Sequence, residues 1–239
     1  MGRFMIDCPS IVISYEGREI AVAVARNPRA KRVRLKIDRK TRRAELILPK
    51  RASLNAAAAF AASKAAWIAE QLKKLPEKRV FCDGLSLTFL GQEVVIHHSP
   101  MAKRGVWLDG GVVWVSGRAE HLARRTRDFF KSEFAVYALK RARETAMKTG
   151  GKVVGLTVRD TTSRWGSCSK DGRLNLSWRL GLAPLFVADY VIAHEVAHLC
   201  QMNHSAAFWA VVADLCPDFK KAEAWLKKNA AVLYSYDIA

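Results

Sequence analysis

The sequence has few cysteines, and their spacing argues against a disulfide framework. There are five in 239 residues, an odd number, and no two form a C-x-x-C pair. Widely spaced single thiols are typical of proteins that keep cysteine reduced. The opening segment MGRFMIDCPS also lacks the apolar stretch of a secretory signal. We therefore expect a cytoplasmic protein.

Long apolar runs and low-complexity segments are also absent. No run approaches the roughly 18–20 apolar residues that a membrane-spanning helix needs. Half of the residues are hydrophobic and 26% are charged, which is the composition of a folded globular chain. Neither a membrane protein nor a disordered chain is expected.

Acidic residues are scarce beside basic ones. The chain has 22 Asp and Glu and 40 Lys and Arg, which gives a formal net charge of +18. Residues 1–50 hold 13 basic and five acidic side chains and residues 118–149 hold nine and four, whereas residues 190–239 hold four and five. A basic surface of this kind is either simply hydrated or binds a polyanion such as nucleic acid.

The first half of the chain reads as β-rich. Apolar Val33, Leu35 and Ile37 alternate with basic residues, which is strand periodicity. The polar cluster 39–43 separates this strand from residues 44–48, so the pattern predicts an antiparallel hairpin with a basic tip. Ser53 is placed to cap a helix that runs to about Leu75, and short alternating runs return over 80–116.

The second half reads as mostly helical. It contains one long helix over 118–148, strands over 153–158 and 174–178 joined by a polar loop, and helices over 184 to about 202, from 205, and from 217 to about 229. The sequence therefore predicts an α+β protein with a β-rich N-terminal region, residues 1–117, which includes one helix, and a C-terminal core, residues 118–239.

Three of the six histidines fall within residues 194–204, in the segment HEVAHLCQMNH. On a helix, His194 and His198 lie one turn apart on the same face, so both imidazoles can reach one metal ion. Asn203 tolerates the left-handed backbone of a helix end, and His204 can then turn back as a third ligand. This spacing predicts a zinc site.

Glu195 follows the first of these histidines, where it can act as a general base without binding the metal. Zinc held by three histidines keeps a fourth position open and lowers the pKa of water bound there to about 7. Cys200 lies off the His194 and His198 face and is expected in the core.

A second polar motif, TTSRWGSCS, spans residues 161–169. It is either an ordinary hairpin loop or a segment in which Arg164 and Trp165 line a substrate groove. Ser167 and Cys168 are not expected to act as nucleophiles, because no base is evident beside them.

The combination SRWGSCS, LNLSWRL and HEVAHLCQMNHSAAFW, preceded by the basic hairpin and an Ala-rich helix, resembles the YgjP-like metallopeptidases, relatives of the SprT-type zincins. The likeness runs from about Arg26 to Leu226. It implies a zincin-like core with an active-site helix beside a small sheet, zinc held by the three histidines, and Glu195 as catalytic base.

Three functions remain open from the sequence. A zinc peptidase acting on polypeptides fits best, with the strand at 153–158 as an edge that pairs with an extended substrate. The basic N-terminal hairpin also suits a protein associated with nucleic acid. A zinc hydrolase acting on nucleotides or phosphate esters is the third, although no glycine-rich phosphate loop or carboxylate-rich two-metal pattern is evident.

Overall fold

The computed structural model describes residues 10–162 and 164–237. The chain forms two compact units that divide between Glu77 and Lys78. Each unit has its own hydrophobic core. Within the described residues, no helix is long and apolar enough to span a membrane.

The first unit is a four-stranded sheet with two helices. Its strands are arranged in the order β1-β2-β4-β3. The elements are β1 Ser10–Tyr15, β2 Arg18–Arg26, β3 Arg34–Asp38, β4 Arg43–Leu48, α1 Leu54–Ser63 and α2 Ala65–Lys73. Strands β3 and β4 pair antiparallel, which confirms the predicted hairpin. Leu35 and Ile37 pack against the core of this unit, and Arg34 is exposed.

The helix predicted from Ser53 to about Leu75 is divided in two. Ser53 caps α1, since its hydroxyl accepts from the Ala56 N–H at 3.3 Å. The Ser63 hydroxyl donates to the Phe60 carbonyl at 2.8 Å, and Lys64 leaves the helical region with φ −110° and ψ 13°. A serine that bonds locally to the backbone competes with the helical ladder, and the helix breaks there.

The second unit begins with strands that belong to the same core as the later helices. These elements are β5 Arg79–Val80, β6 Ser86–Phe89, β7 Gln92–Ser99, β8 Val106–Asp109, β9 Val112–Ser116 and α3 Leu122–Met147. Strands β6 to β9 form a four-stranded sheet. Buried Phe89 on β6 packs against Phe130 on α3, with ring centroids 4.3 Å apart.

This packing explains where the units divide. The sequence places the division near residue 117, between a region 1–117 and a core 118–239. The β6–β9 strands instead bury their apolar side chains in one core with α3 and the C-terminal helices. The division therefore comes before β5, at Glu77.

The remaining elements surround the histidine segment. They are β10 Gly155–Arg159, β11 Gly166–Cys168, β12 Arg173–Ser177, α4 Leu185–Ala197, α5 Ala206–Leu215, α6 Phe219–Ser235 and β13 Tyr236–Asp237. Strands β10 and β12 confirm the two predicted strands. The motif expected to be a loop contributes a third strand, β11, which pairs antiparallel with β12. The α+β class is thus confirmed, with a small mixed sheet beside the helices.

Candidate functional site

Helix α4 carries the first residues of the site and is held firmly. Most of its apolar side chains are buried. On the side that faces α3, the Asp189 carboxylate accepts from the Arg141 guanidinium at 2.8 and 3.1 Å and from the Tyr137 hydroxyl at 2.6 Å. A guanidinium that binds a carboxylate at two points fixes orientation as well as distance. The helix therefore presents His194 and Glu195 from a rigid support.

The chain reverses immediately after α4 and earlier than predicted. The helix ends at Ala197 and not near Met202. The N–H groups of Cys200 and Gln201 both donate to the Ala197 carbonyl at 3.0 Å, which forms a tight turn. Asn203 does not take a positive φ, so the expectation that it ends the helix is wrong. The turn at 198–201 reverses the chain instead.

This reversal brings the three histidines together. The candidate ligand atoms of His194, His198 and His204 all lie within 4.8 Å of one another. The Nε2 atoms of His194 and His204 are 3.1 Å apart. His204 is exposed, whereas His198 is buried. Among the described residues, no other group of three or more His, Cys, Asp or Glu is close enough to hold a metal ion.

A buried phenylalanine supports the three rings. Phe208 lies in the first turn of α5, where its N–H donates to the Ser205 hydroxyl at 3.4 Å. Its ring centroid is 4.9, 4.6 and 4.7 Å from those of His194, His198 and His204. No motif in the sequence predicts this role of Phe208, which follows the capping Ser205 by three residues.

Burial disfavours the protonated forms of His194 and His198. Burial, together with smaller effects of the neighbouring His198 and His204, lowers the pKa of His194 to about 4. Burial also lowers the pKa of His198, against the opposing effect of the Gln201 carbonyl. That carbonyl lies 3.0 Å from His198 Nδ1, so Nδ1 carries the proton and Nε2 keeps its lone pair. Neutral imidazoles with free lone pairs are metal ligands.

A further observation supports metal binding by the three histidines. The Nε2 atoms of His194 and His204, which face each other, are only 3.1 Å apart. Two protonated imidazoles at this distance would repel one another, whereas one metal ion can bind the lone pairs of both neutral rings. The three histidines are therefore able to hold a metal that prefers imidazole.

Glu195 lies beside the histidines beneath β11. It is 5% exposed, and a Cβ atom at Gly166 would lie 2.6 Å from its Cγ and 2.7 Å from its Cδ. Only glycine leaves room for the carboxylate there. Burial raises the pKa of Glu195 to about 7, and the positive charge of Arg164 opposes this rise.

The second polar motif reaches the same place. Arg164 and Trp165 border a cavity of about 680 Å³ together with His194 and Glu195. Trp165 is half-buried and packs against Tyr234 with ring centroids 5.1 Å apart. Strand β11 also borders a smaller recess that contains all three histidines. The structure therefore brings Arg164 and Trp165 beside the histidine group.

Two cysteines near the site show no sign of catalytic use. Burial, together with smaller effects of Glu195 and Asp171, raises the pKa of Cys168 to about 11. A thiol with a raised pKa is a poor nucleophile near neutral pH. Cys200 is exposed, so its expected place in the core is wrong, and it does not belong to the histidine group.

Helix α6 supplies cavity residues that no motif in the sequence predicts. Lys220, Glu223 and Lys227 line the larger cavity, and the Tyr190 hydroxyl donates to Glu223 at 3.0 Å. Their spacing of three and four residues places them on one face of the helix. That spacing is visible in the sequence, but which face meets the site depends on tertiary packing.

The chain is similar to known metallopeptidases. No curated protein matches it. Among solved structures, it is similar to the metallopeptidase zymogen abylysin of Pyrococcus abyssi, with 24% identity over 39% of this chain and 93% of that chain and a TM-score of 0.33. The sequence model of the YgjP-like metallopeptidase domain matches residues 31–229, which confirms the resemblance. This protein therefore belongs to the YgjP-like metallopeptidase family.

Proposed function

We propose that this protein is a zinc-dependent peptidase in which His194, His198 and His204 hold the metal and Glu195 is the general base. The observation that carries the proposal is the convergence of three imidazoles, whose candidate ligand atoms lie within 4.8 Å of one another, beside one buried carboxylate. Zinc bound by three histidines lowers the pKa of water and polarises a carbonyl oxygen.

Glu195 performs the proton transfers in this proposal. Its carboxylate accepts a proton from the attacking water and passes it to the amide nitrogen that leaves. It is the only carboxylate that borders the recess with the three histidines, within the described part of the chain. Gly166 keeps the space that the carboxylate needs.

The substrate is best placed along β11. The sequence favours the strand at 153–158 as the edge that pairs with substrate, but β10 borders neither the recess nor the larger cavity. Strand β11 is the opposite edge of the same sheet, and Gly166 and Cys168 border the recess. An extended peptide that pairs with β11 lies across the histidines, with Arg164 and Trp165 as contacts for its side chains.

Peptide hydrolysis is the simplest test. The purified protein should cleave unfolded casein, lose this activity when 1,10-phenanthroline removes the metal, and regain it when zinc is restored. Metal content is measured in parallel by atomic emission. Activity that persists in metal-free protein would contradict the proposal.

Gly166→Ala should lower turnover by up to about 100-fold, because the new methyl group displaces the Glu195 carboxylate and small misplacements of catalytic groups are costly. Zinc content should be unchanged, since Gly166 is not a metal ligand. Gly155→Ala on β10 is the matched control. Its Cβ meets nothing closer than 3.8 Å, so both turnover and zinc content should remain normal.

Binding of nucleic acid to the basic hairpin is a second candidate function. Arg32, Arg34, Arg39 and Arg43 are exposed and form no ion pair within the described residues, whereas Lys36 is paired with Glu45 at 2.8 Å. The free arginines on one hairpin favour contacts with phosphates.

Replacing these four arginines by Gln should flatten the salt dependence of DNA binding. Removing one phosphate contact reduces the slope of log K against log salt by about 0.9 for duplex DNA. Anisotropy titrations across salt concentrations measure this slope for DNA and RNA. An unchanged slope, or no binding at low salt, would leave the hairpin as a hydrated surface only.

A further inference from the structure

The cavity beside the histidines has an apolar lining and a basic rim. It has a volume of about 680 Å³ and lies between α4, α6 and the start of β11. Trp165, Val191 and Leu226 form the apolar part of its wall, and His194 and Glu195 border it. A substrate bound at the histidines therefore has this cavity directly beside it.

Three cationic side chains of the rim are unpaired among the described residues. Arg164, Lys220 and Lys227 all border the cavity and are exposed. Their side chains form no ion pair or hydrogen bond with other residues in the described ranges. Lys220 and Lys227 are seven residues apart on α6, two helical turns, and so project from the same face.

Two carboxylates, those of Glu195 and Glu223, also border the cavity. Glu195 is buried and serves the proposed chemistry. Glu223 accepts a hydrogen bond from the Tyr190 hydroxyl at 3.0 Å and contributes one negative charge to the rim. The three cations of the rim therefore exceed its one exposed carboxylate by two charges, so the rim attracts an anion.

We propose that this cavity binds an acidic side chain, Asp or Glu, of the polypeptide substrate close to the scissile bond. The inference rests on the proposed peptidase function and adds the class of substrate. A carboxylate gains ion pairs with the free cations, a neutral side chain gains none, and a basic side chain is repelled. The enzyme thus selects acidic segments of polypeptides.

Two fluorescein-labelled peptides of equal length test this selectivity. They differ only in carrying Glu or Gln at the same positions, and fluorescence anisotropy measures their binding to the full-length, zinc-loaded protein. We expect the Glu peptide to bind about tenfold more tightly at low salt. Added salt should reduce the difference, because it screens exposed charges. Equal binding of the two peptides would overturn the inference.

Charge variants distinguish binding in the cavity from attraction by the overall positive charge of the protein. Lys220→Gln with Lys227→Gln should remove most of the preference for the Glu peptide. Lys140→Gln with Lys228→Gln, which removes the same charge outside the cavity, should keep the preference. Equal loss in both double variants would assign the selectivity to net charge and overturn the inference. Lys220→Glu with Lys227→Glu should favour a peptide that carries Lys at the same positions.

Cleavage distinguishes failure of this inference from failure of the proposed function. Equal cleavage of the Glu and Gln peptides overturns the acidic preference and leaves the peptidase standing. Selective binding of the Glu peptide with no cleavage of peptides or casein overturns the peptidase and leaves an acid-binding cavity. A nucleoside triphosphate that displaces the Glu peptide and is itself hydrolysed would overturn both in favour of a phosphate ester substrate.

Discussion

Replacement of Glu195 by Gln is expected to reduce peptide hydrolysis by about 10²–10⁴-fold and to leave zinc content and fold unchanged. Gln has the shape of Glu but cannot accept the proton of the attacking water. No other carboxylate of the described residues borders the recess with the histidines, so no neighbour can take over the role. Steady-state kinetics on casein or a peptide measure the loss.

The matched control is Glu223→Gln, which removes the other carboxylate of the larger cavity. Because Glu223 is exposed and does not border the recess, this variant should keep most of the turnover. Near-normal turnover of Glu195→Gln on a substrate that the native protein cleaves would remove Glu195 from the mechanism.

Glu195→Gln also offers a way to identify the natural substrate. A protein with intact metal ligands and a disabled base should hold substrate without releasing products. Proteins captured on this variant, and not on a variant that also lacks His204, are substrate candidates. Enrichment of acidic segments among them would agree with the basic rim of the cavity.

His204→Ala is expected to reduce zinc affinity by more than about 100-fold. Loss of groups that merely orient a ligand already costs about 10–100-fold, and loss of a ligand should cost more. His204 is exposed, so its removal should not unfold the chain. Competition with a chromophoric chelator measures zinc affinity, and circular dichroism with thermal unfolding checks the fold.

His121→Ala is the control for this experiment. His121 lies before α3 and outside the histidine group, so its loss should not change zinc affinity. If His204→Ala retains full affinity, His204 is not the third ligand. If His204→Ala and His194→Ala both lower the affinity for zinc and His121→Ala does not, the assignment of three histidine ligands is supported.

The local chemistry of the site is largely readable from the sequence. His194, Glu195 and His198 sit on one helix, so their relative positions follow from helical geometry. The basic hairpin, the cap at Ser53 and the strands flanking the polar motif also follow from short-range patterns. Each of these features depends on residues that are close together in the sequence.

Other features depended on packing between distant parts of the chain. The sequence could not show that β6–β9 share a core with α3, because binary patterns do not say which apolar faces meet. The break at Lys64 and the turn after Ala197 depend on local hydrogen bonds that compete with the regular helical pattern. Helix and strand boundaries of this kind are decided by small free energies.

The chain by itself therefore determined the type of chemistry, and the tertiary structure decided its surroundings. The H-E-x-x-H spacing places two proposed ligands and a proposed base close together because a helix fixes positions i, i+1 and i+4. Only folding placed Gly166 against Glu195 and Phe208 beneath the three rings. Only folding also turned one face of α6 towards the site, because contacts between remote segments follow from burial of the whole core and not from local periodicity.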